Sequence, residues 1–158
     1  MSFGAARPFL GVPNWKPPFP EIIRAMLGGE GPERQEATGL LTQTWRAADA
    51  IADKSGQFDL SARLIHIMGW AAARSGEELL CAATQYVRAE TFFASGQLGA
   101  GREVLERAAD RLTPGTCDGA IAQYGALHMR AAVVAAGAGQ PGRAADHLAE
   151  ARAAACHV

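Results

Sequence analysis

The sequence predicts an all-α protein in which three antiparallel helix hairpins stack behind a proline-rich N-terminal arm. Three observations carry that prediction. Ser-Gly recurs in "KSGQFDL", "RSGEELL" and "ASGQLGA", which sets Gly56, Gly76 and Gly96 twenty residues apart. Between these glycines apolar residues fall at helical spacing, and no strand-like alternation flanked by turn signals competes. Five of the eight prolines lie within residues 1–20, so the rest of the chain is largely free to form long helices. Glycine accepts the left-handed conformation that closes a helix, so the glycines read as stops. Helices of nearly equal length joined by short turns run antiparallel to their neighbours.

Residues 1–34 form the arm. Pro8, Pro13, Pro17, Pro18 and Pro20 exclude a long helix from its first part, yet Phe9, Leu10, Trp15 and Phe19 give it apolar weight. The reading is an extended segment that lays aromatic side chains on the body. "PPFP" also has the PxxP spacing of a polyproline II ligand for another domain. A short helix follows over 20–27, with Pro20 in its first turn and Gly28-Gly29 ending it; "GGEGPERQ" reads as a joint.

Residues 35–158 form the helical body. In "ATGLLTQTWRAADAIADK", Leu41, Trp45, Ala48 and Ala52 share a face. In "DLSARLIHIMGWAAAR", Asp59 is placed to cap and Leu64, Ile65, Met68 and Ala72 share a face. "EELLCAATQYVRAETFFA" and "GAGREVLERAADRL" make the second hairpin, and Pro114-Gly115 breaks the chain after it. "DGAIAQYGALHMRAAVVAAG" and "PGRAADHLAEARAAAC" make the third, with Pro141 in a first helical turn.

Composition narrows the function. Of 158 residues, 49% are hydrophobic and 20% charged, which is a globular balance. The formal net charge is −1, and no run of Lys and Arg marks a basic patch, so direct nucleic-acid binding is not expected. No stretch approaches the length of apolar sequence that spans a membrane, and the N-terminus lacks the apolar core of a signal peptide. Cys81, Cys117 and Cys156 are odd in number and widely spaced, which fits a reducing cytoplasm better than a disulfide scaffold.

The hairpins also align as repeats on Gly56, Gly96 and Gly139, each followed by Gln. Five residues later lie Ser61, Gly101 and Ala144, all small. Nine residues later lie Ile65, Leu105 and Leu148, all large and aliphatic. Met68, Ala108 and Ala151 follow at twelve, and Ala52, Phe92 and Ala135 precede at four. With Trp45 early in the first unit, this pattern resembles the tetratricopeptide repeat family. The resemblance implies a TPR-like right-handed α-solenoid. Three features depart from the family pattern. The periods are 40 and 43 residues, against about 34 in the family. Asp49 takes a place where a small residue is usual, and Arg88 one where an apolar residue is usual.

The alanine-rich run from 36 to 154 is similar to the sensor region of actinobacterial helix-turn-helix regulators of the xenobiotic-response-element type. "RAADAIADKSGQFDLSARL", "ASGQLGAGREVLERAADRLTP" and "YGALHMRAAVVAAGAGQPGRAADHLAEARAAA" carry the similarity. Such regulators begin with a DNA-binding head. This chain begins with the proline-rich arm, so the expectation is a sensor module without its own head, or one that pairs with a separate head.

No catalytic fingerprint stands out. There is no P-loop, dinucleotide-binding or G-x-S-x-G motif, and "GQLGAG" reads as a repeat turn. His66, His128, His147 and His157 are scattered, with no spacing that assembles a metal site, and no cofactor is expected. His66 with Asp59 or Glu78, and His128 with Tyr124, are the possible acid–base pairs; the preferred reading makes them partly buried polar residues. Cys81 reads as core, whereas Cys117 follows a turn and is the candidate reactive thiol. The first helix of each hairpin lines the concave side of such a stack, which makes Thr44, Trp45, Gln85, Tyr86, Arg88, Tyr124 and His128 the candidate groove. The expected function is a non-catalytic regulatory or scaffold module that binds a protein, peptide or small effector there. The alternative is a small-molecule-modifying enzyme of a biosynthetic pathway on the same fold. Three hairpins leave apolar ends, so the arm covering one end and a homodimer covering the other are expected.

Overall fold

A computed structural model describes residues 19–112 and 119–156, and these form seven α-helices and no strand. In order they are α1 (Phe19–Gly28), α2 (Gly31–Lys54), α3 (Phe58–Ser75), α4 (Glu78–Ala94), α5 (Leu98–Arg111), α6 (Ala120–Gly137) and α7 (Pro141–Ala155). The arm before residue 19, Cys117 and His157 lie outside the described residues. The helix expected over 20–27 is α1. The joint after it is only Gly29 and Glu30, because α2 begins at Gly31 with Pro32 in its first turn. α2 therefore starts four residues before the body was expected to begin.

The pairs α2–α3, α4–α5 and α6–α7 pack closely, and each pair is closed by the same turn. At the first, Gly56 has φ +71° and the Gln57 amide donates to the Ala52 carbonyl at 2.8 Å. The Gln97 amide repeats this bond to Phe92, and the Gln140 amide to Ala135, both at 2.9 Å. These six-to-one bonds satisfy carbonyls that a helix end leaves unpaired, and the left-handed residue they require is glycine. The link between hairpins at Gly76 differs. There the Ser75 hydroxyl accepts from the Glu77 amide at 2.9 Å.

Small residues let paired helices approach beside each turn. In the second hairpin Phe92 stands where Ala52 and Ala135 stand in the others, and Gly101 faces it. A Cβ on Gly101 would lie 3.0 Å from the Phe92 Cβ, so the bulk of one residue is matched by the absence of a side chain on the other. In the first hairpin the buried Asp49 accepts a hydrogen bond from the Ser61 hydroxyl at 2.6 Å, tying α2 to α3. That bond accounts for an acid at a position where the repeat pattern has a small residue.

The hairpins join through α3 against α4, α5 against α6, and α4 against α6. Ile65, Met68 and Val87 form one buried cluster, with Trp45 and Tyr86 half-buried against it. Leu105, Leu127, Ala131 and Val134 belong to the largest cluster, between the second and third hairpins. α1 packs on α2, where Met26, Ala37, Leu41 and Ala71 are buried together. The N-terminal end of the body is thus covered by α1. Among the described residues no helix is long and apolar enough to cross a membrane.

Candidate ligand cleft

The second helix of one hairpin and the second helix of the next stand apart, with the first helix of the later hairpin as a floor between them. Between α3 and α5, over α4, this leaves a cleft of about 630 Å³. Gly69, Ala72, Ala82, Phe92 and Ala108 give it an apolar base. Its rim carries Arg88, Arg107 and Arg111 with Glu77, Glu78 and Glu103, all solvent-exposed. Arg107 lies 3.8 Å from Glu103 in an exposed ion pair, and the Arg88 guanidinium sits 5.8 Å from the centre of the Phe92 ring. Small residues dominate the base because the helices are alanine-rich, and that is why a space remains between them.

Of the candidate groove residues, Gln85 and Arg88 line this cleft; Thr44, Trp45, Tyr86, Tyr124 and His128 do not. The Thr44 hydroxyl donates to the Leu40 carbonyl at 2.8 Å within its own helix. Trp45 and Tyr86 pack against one cluster, and the Arg130 guanidinium lies 4.4 Å from the centre of the Tyr86 ring while pairing with Glu90 at 2.7 Å. His66 lies on the exposed side of α3. Cys81 lines the cleft, but its thiol donates to the Ala72 carbonyl at 3.3 Å. Burial pushes the Cys81 pKa up, Arg111 opposes that, and Glu78 and Glu77 add to it. The group is a protonated thiol rather than a nucleophile at neutral pH.

The 43-residue register places Cys81 and Gln85 opposite Tyr124 and His128, and Val104 and Arg107 opposite His147 and Glu150. In the later position these polar residues bridge the helices. His128 Nδ1 meets His147 Nδ1 at 3.1 Å, and His147 Nε2 meets Glu106 Oε1 at 3.1 Å. Arg102 pairs with Glu106, and the Tyr124 hydroxyl donates to Glu150 at 3.0 Å. The Tyr124 and His128 rings are 4.4 Å apart. One proton order satisfies the chain: His128 Nδ1–H donates to His147, and His147 Nε2–H donates to the Glu106 carboxylate. Burial lowers the His128 pKa, and His147 lowers it further against the pull of Glu150, Asp110 and Glu106. Burial, then the bond to Glu150, raises the Tyr124 pKa. The donor atoms of this chain bond to one another rather than converge. Among the described residues no three His, Cys, Asp or Glu side chains form a metal-binding group.

His147 and Glu106 join His128 in this cluster although no local spacing in the sequence links them. They lie nineteen and twenty-two residues from it, on other helices. The signal available was the repeat register, which sets both α7 and α5 beside α6. No family model, curated protein or solved structure matches the chain.

Proposed function

We propose that the chain is a TPR-like, right-handed stack of three hairpins that works as a non-catalytic regulatory or scaffold module. Its ligand, a peptide segment of a partner protein or a small effector, sits in the cleft over α4. The observation that carries this reading is the cleft itself. Its volume of about 630 Å³ falls within the roughly 300–1,000 Å³ usual for ligand sites. An apolar base rimmed by three arginines and three glutamates suits a ligand with apolar bulk and charges of both signs. The resemblance to a regulator's sensor region points the same way. The net charge of −1 supports a module that makes no direct contact with nucleic acid. The odd, separated cysteines support a cytoplasmic setting.

The enzyme reading draws on one observation, the Glu106–His147–His128 chain beside the Tyr124 hydroxyl. Such a chain leaves His128 Nε2 with a free lone pair, the form a general base takes. The binder is preferred because the open cleft and this chain are separate.

The test is a thermal-shift and native mass-spectrometry screen of a metabolite set and cell extract against the wild type and Ala100→Trp. Ala100 is an exposed wall residue, so tryptophan there fills the cleft without disturbing the core. A ligand at a hundredfold excess over its Kd adds about 2.7 kcal/mol, which raises the Tm of a chain this size by roughly 5–10 °C. The reading predicts that rise in the wild type and its loss in Ala100→Trp. An equal rise in both proteins removes the cleft as the site. Chemical conversion of the bound molecule makes the protein an enzyme.

A further inference from the structure

Among the described residues the third hairpin lacks a cover that the first two have. The large aliphatic residue nine positions after each Gly-Gln turn is buried by the first helix of the following hairpin. Ile65 is 4% exposed and packs with Val87 of α4; Leu105 is 0% exposed and packs with Leu127 and Ala131 of α6. Leu148, in the same place on α7, is 51% exposed. α6 repeats the signal. By the 43-residue register its Ala122, Ala126, Met129, Val133 and Ala136 correspond to Leu79, Ala83, Tyr86, Glu90 and Phe93 of α4. That face of α4 packs on α6: Glu90 and Tyr86 hold Arg130, and Phe93 lies against Gly137. On α6 the corresponding stripe has no charged residue, and Met129 and Val133 are 55% and 57% exposed. α6 and α7 together present a seat for one more helix.

We infer that the occupant is a second copy of this chain, paired α6 to α6 about a two-fold axis. Three features select it over other occupants. First, α1 packs on α2 at the other end of the stack, in the place the last helix of a preceding hairpin would take, which disfavours head-to-tail stacking and favours an end-to-end, closed pair. Second, the stripe carries no charge, so two copies meet without like charges facing each other. Third, its sizes are self-complementary. Ala122 and Ala126 form a small half and Met129 and Val133 a large half. An antiparallel pair centred between 126 and 129 sets Ala126 against Met129 and Ala122 against Val133, so each large residue meets a small one. Leu148 flanks this contact on α7 and is covered by it. The pairing leaves the cleft over α4 free, so it stands whether or not that cleft binds a ligand.

The experiment is light scattering coupled to size exclusion, from low to high micromolar protein, on the full chain and two variants. The wild type is expected at the mass of a dimer. Val133→Glu puts a carboxylate against Ala122 of the second copy and is expected at monomer mass, with a far-UV dichroism spectrum equal to wild type because the side chain is already solvent-exposed. Adding Ala122→Lys to that variant is expected to restore the dimer. The two positions are about 16 Å apart along one helix, too far to pair within a chain, and they face each other only across the two-fold. A monomeric wild type at every concentration overturns the inference and leaves the seat to the arm or to a different protein. A Val133→Glu dimer overturns the interface. A double variant that stays monomeric overturns the antiparallel register, and a mass above the dimer overturns closure.

Discussion

Leu105 and Leu148 occupy the same place in successive hairpins, so truncating each to alanine measures what a following helix contributes. Leu105 is 0% exposed, within a cluster shared by α4, α5 and α6. Leu105→Ala removes three carbons from a filled interior and leaves a cavity, which costs about 2–5 kcal/mol. Leu148 is 51% exposed. About half of its transfer free energy is already forgone, and no sealed cavity forms. At about 0.8 kcal/mol per carbon, and with the better helix propensity of alanine, Leu148→Ala costs about 1 kcal/mol in the isolated chain. Urea unfolding followed by far-UV dichroism in the monomeric Val133→Glu background gives both numbers. The difference is about 1–4 kcal/mol, or roughly 2–16 °C in Tm. Equal losses at the two sites would refute the claim that the third hairpin lacks the cover that the first two have. At high concentration in the wild-type background the account expects the cost at Leu148 to grow, because the second copy then buries it.

Two further outcomes follow from single contacts. Ser61→Ala removes the donor that the buried Asp49 carboxylate faces, and about 1–3 kcal/mol of stability is lost. Asp49→Ala added to Ser61→Ala restores small-against-small packing, so urea unfolding of the double variant recovers most of that loss; no recovery would mean the bond is not what holds α2 on α3. His128 has its pKa lowered on folding, chiefly by burial. The unfolded chain therefore binds more protons between the lowered value and the ordinary value near 6.5, and stability rises with pH across that window. The contribution is complete above the unfolded value and is lost as pH falls below it. His128→Gln, the residue at the matching place in the second hairpin, flattens the Tm-versus-pH curve over that window; an unchanged slope would assign the dependence elsewhere.

The helices were legible because alanine-rich amphipathic stretches ended at evenly placed glycines, and each glycine sits at a left-handed position. The start of α2 was less so. Gly28, Gly29 and Gly31 read as a joint, yet proline suits a first helical turn and the helix begins there. Periodicity shows which residues share a helix face but not what lies across from that face. Gln85 and Arg88 were legible as polar residues on a first helix. That Gln85 lies in a cleft walled by α3 and α5, with Arg88 on its rim, depends on how far apart successive hairpins settle. Small side chains such as Ala72, Ala100 and Ala108 set that separation, and none of them reads as functional in sequence. His147 was equally hidden. Its meaning comes from His128 and Glu106 on two other helices, which no local spacing links.

The most direct test of the binding account is amide chemical-shift mapping of the isotope-labelled protein with the molecule that raises its Tm most. The account predicts that the perturbed amides trace the cleft, at Gly69 on α3, Arg88 on α4, and Ala100 and Arg107 on α5. Perturbations centred instead on Thr44, Trp45 and Tyr86, or on the Met129 and Val133 stripe, would contradict it.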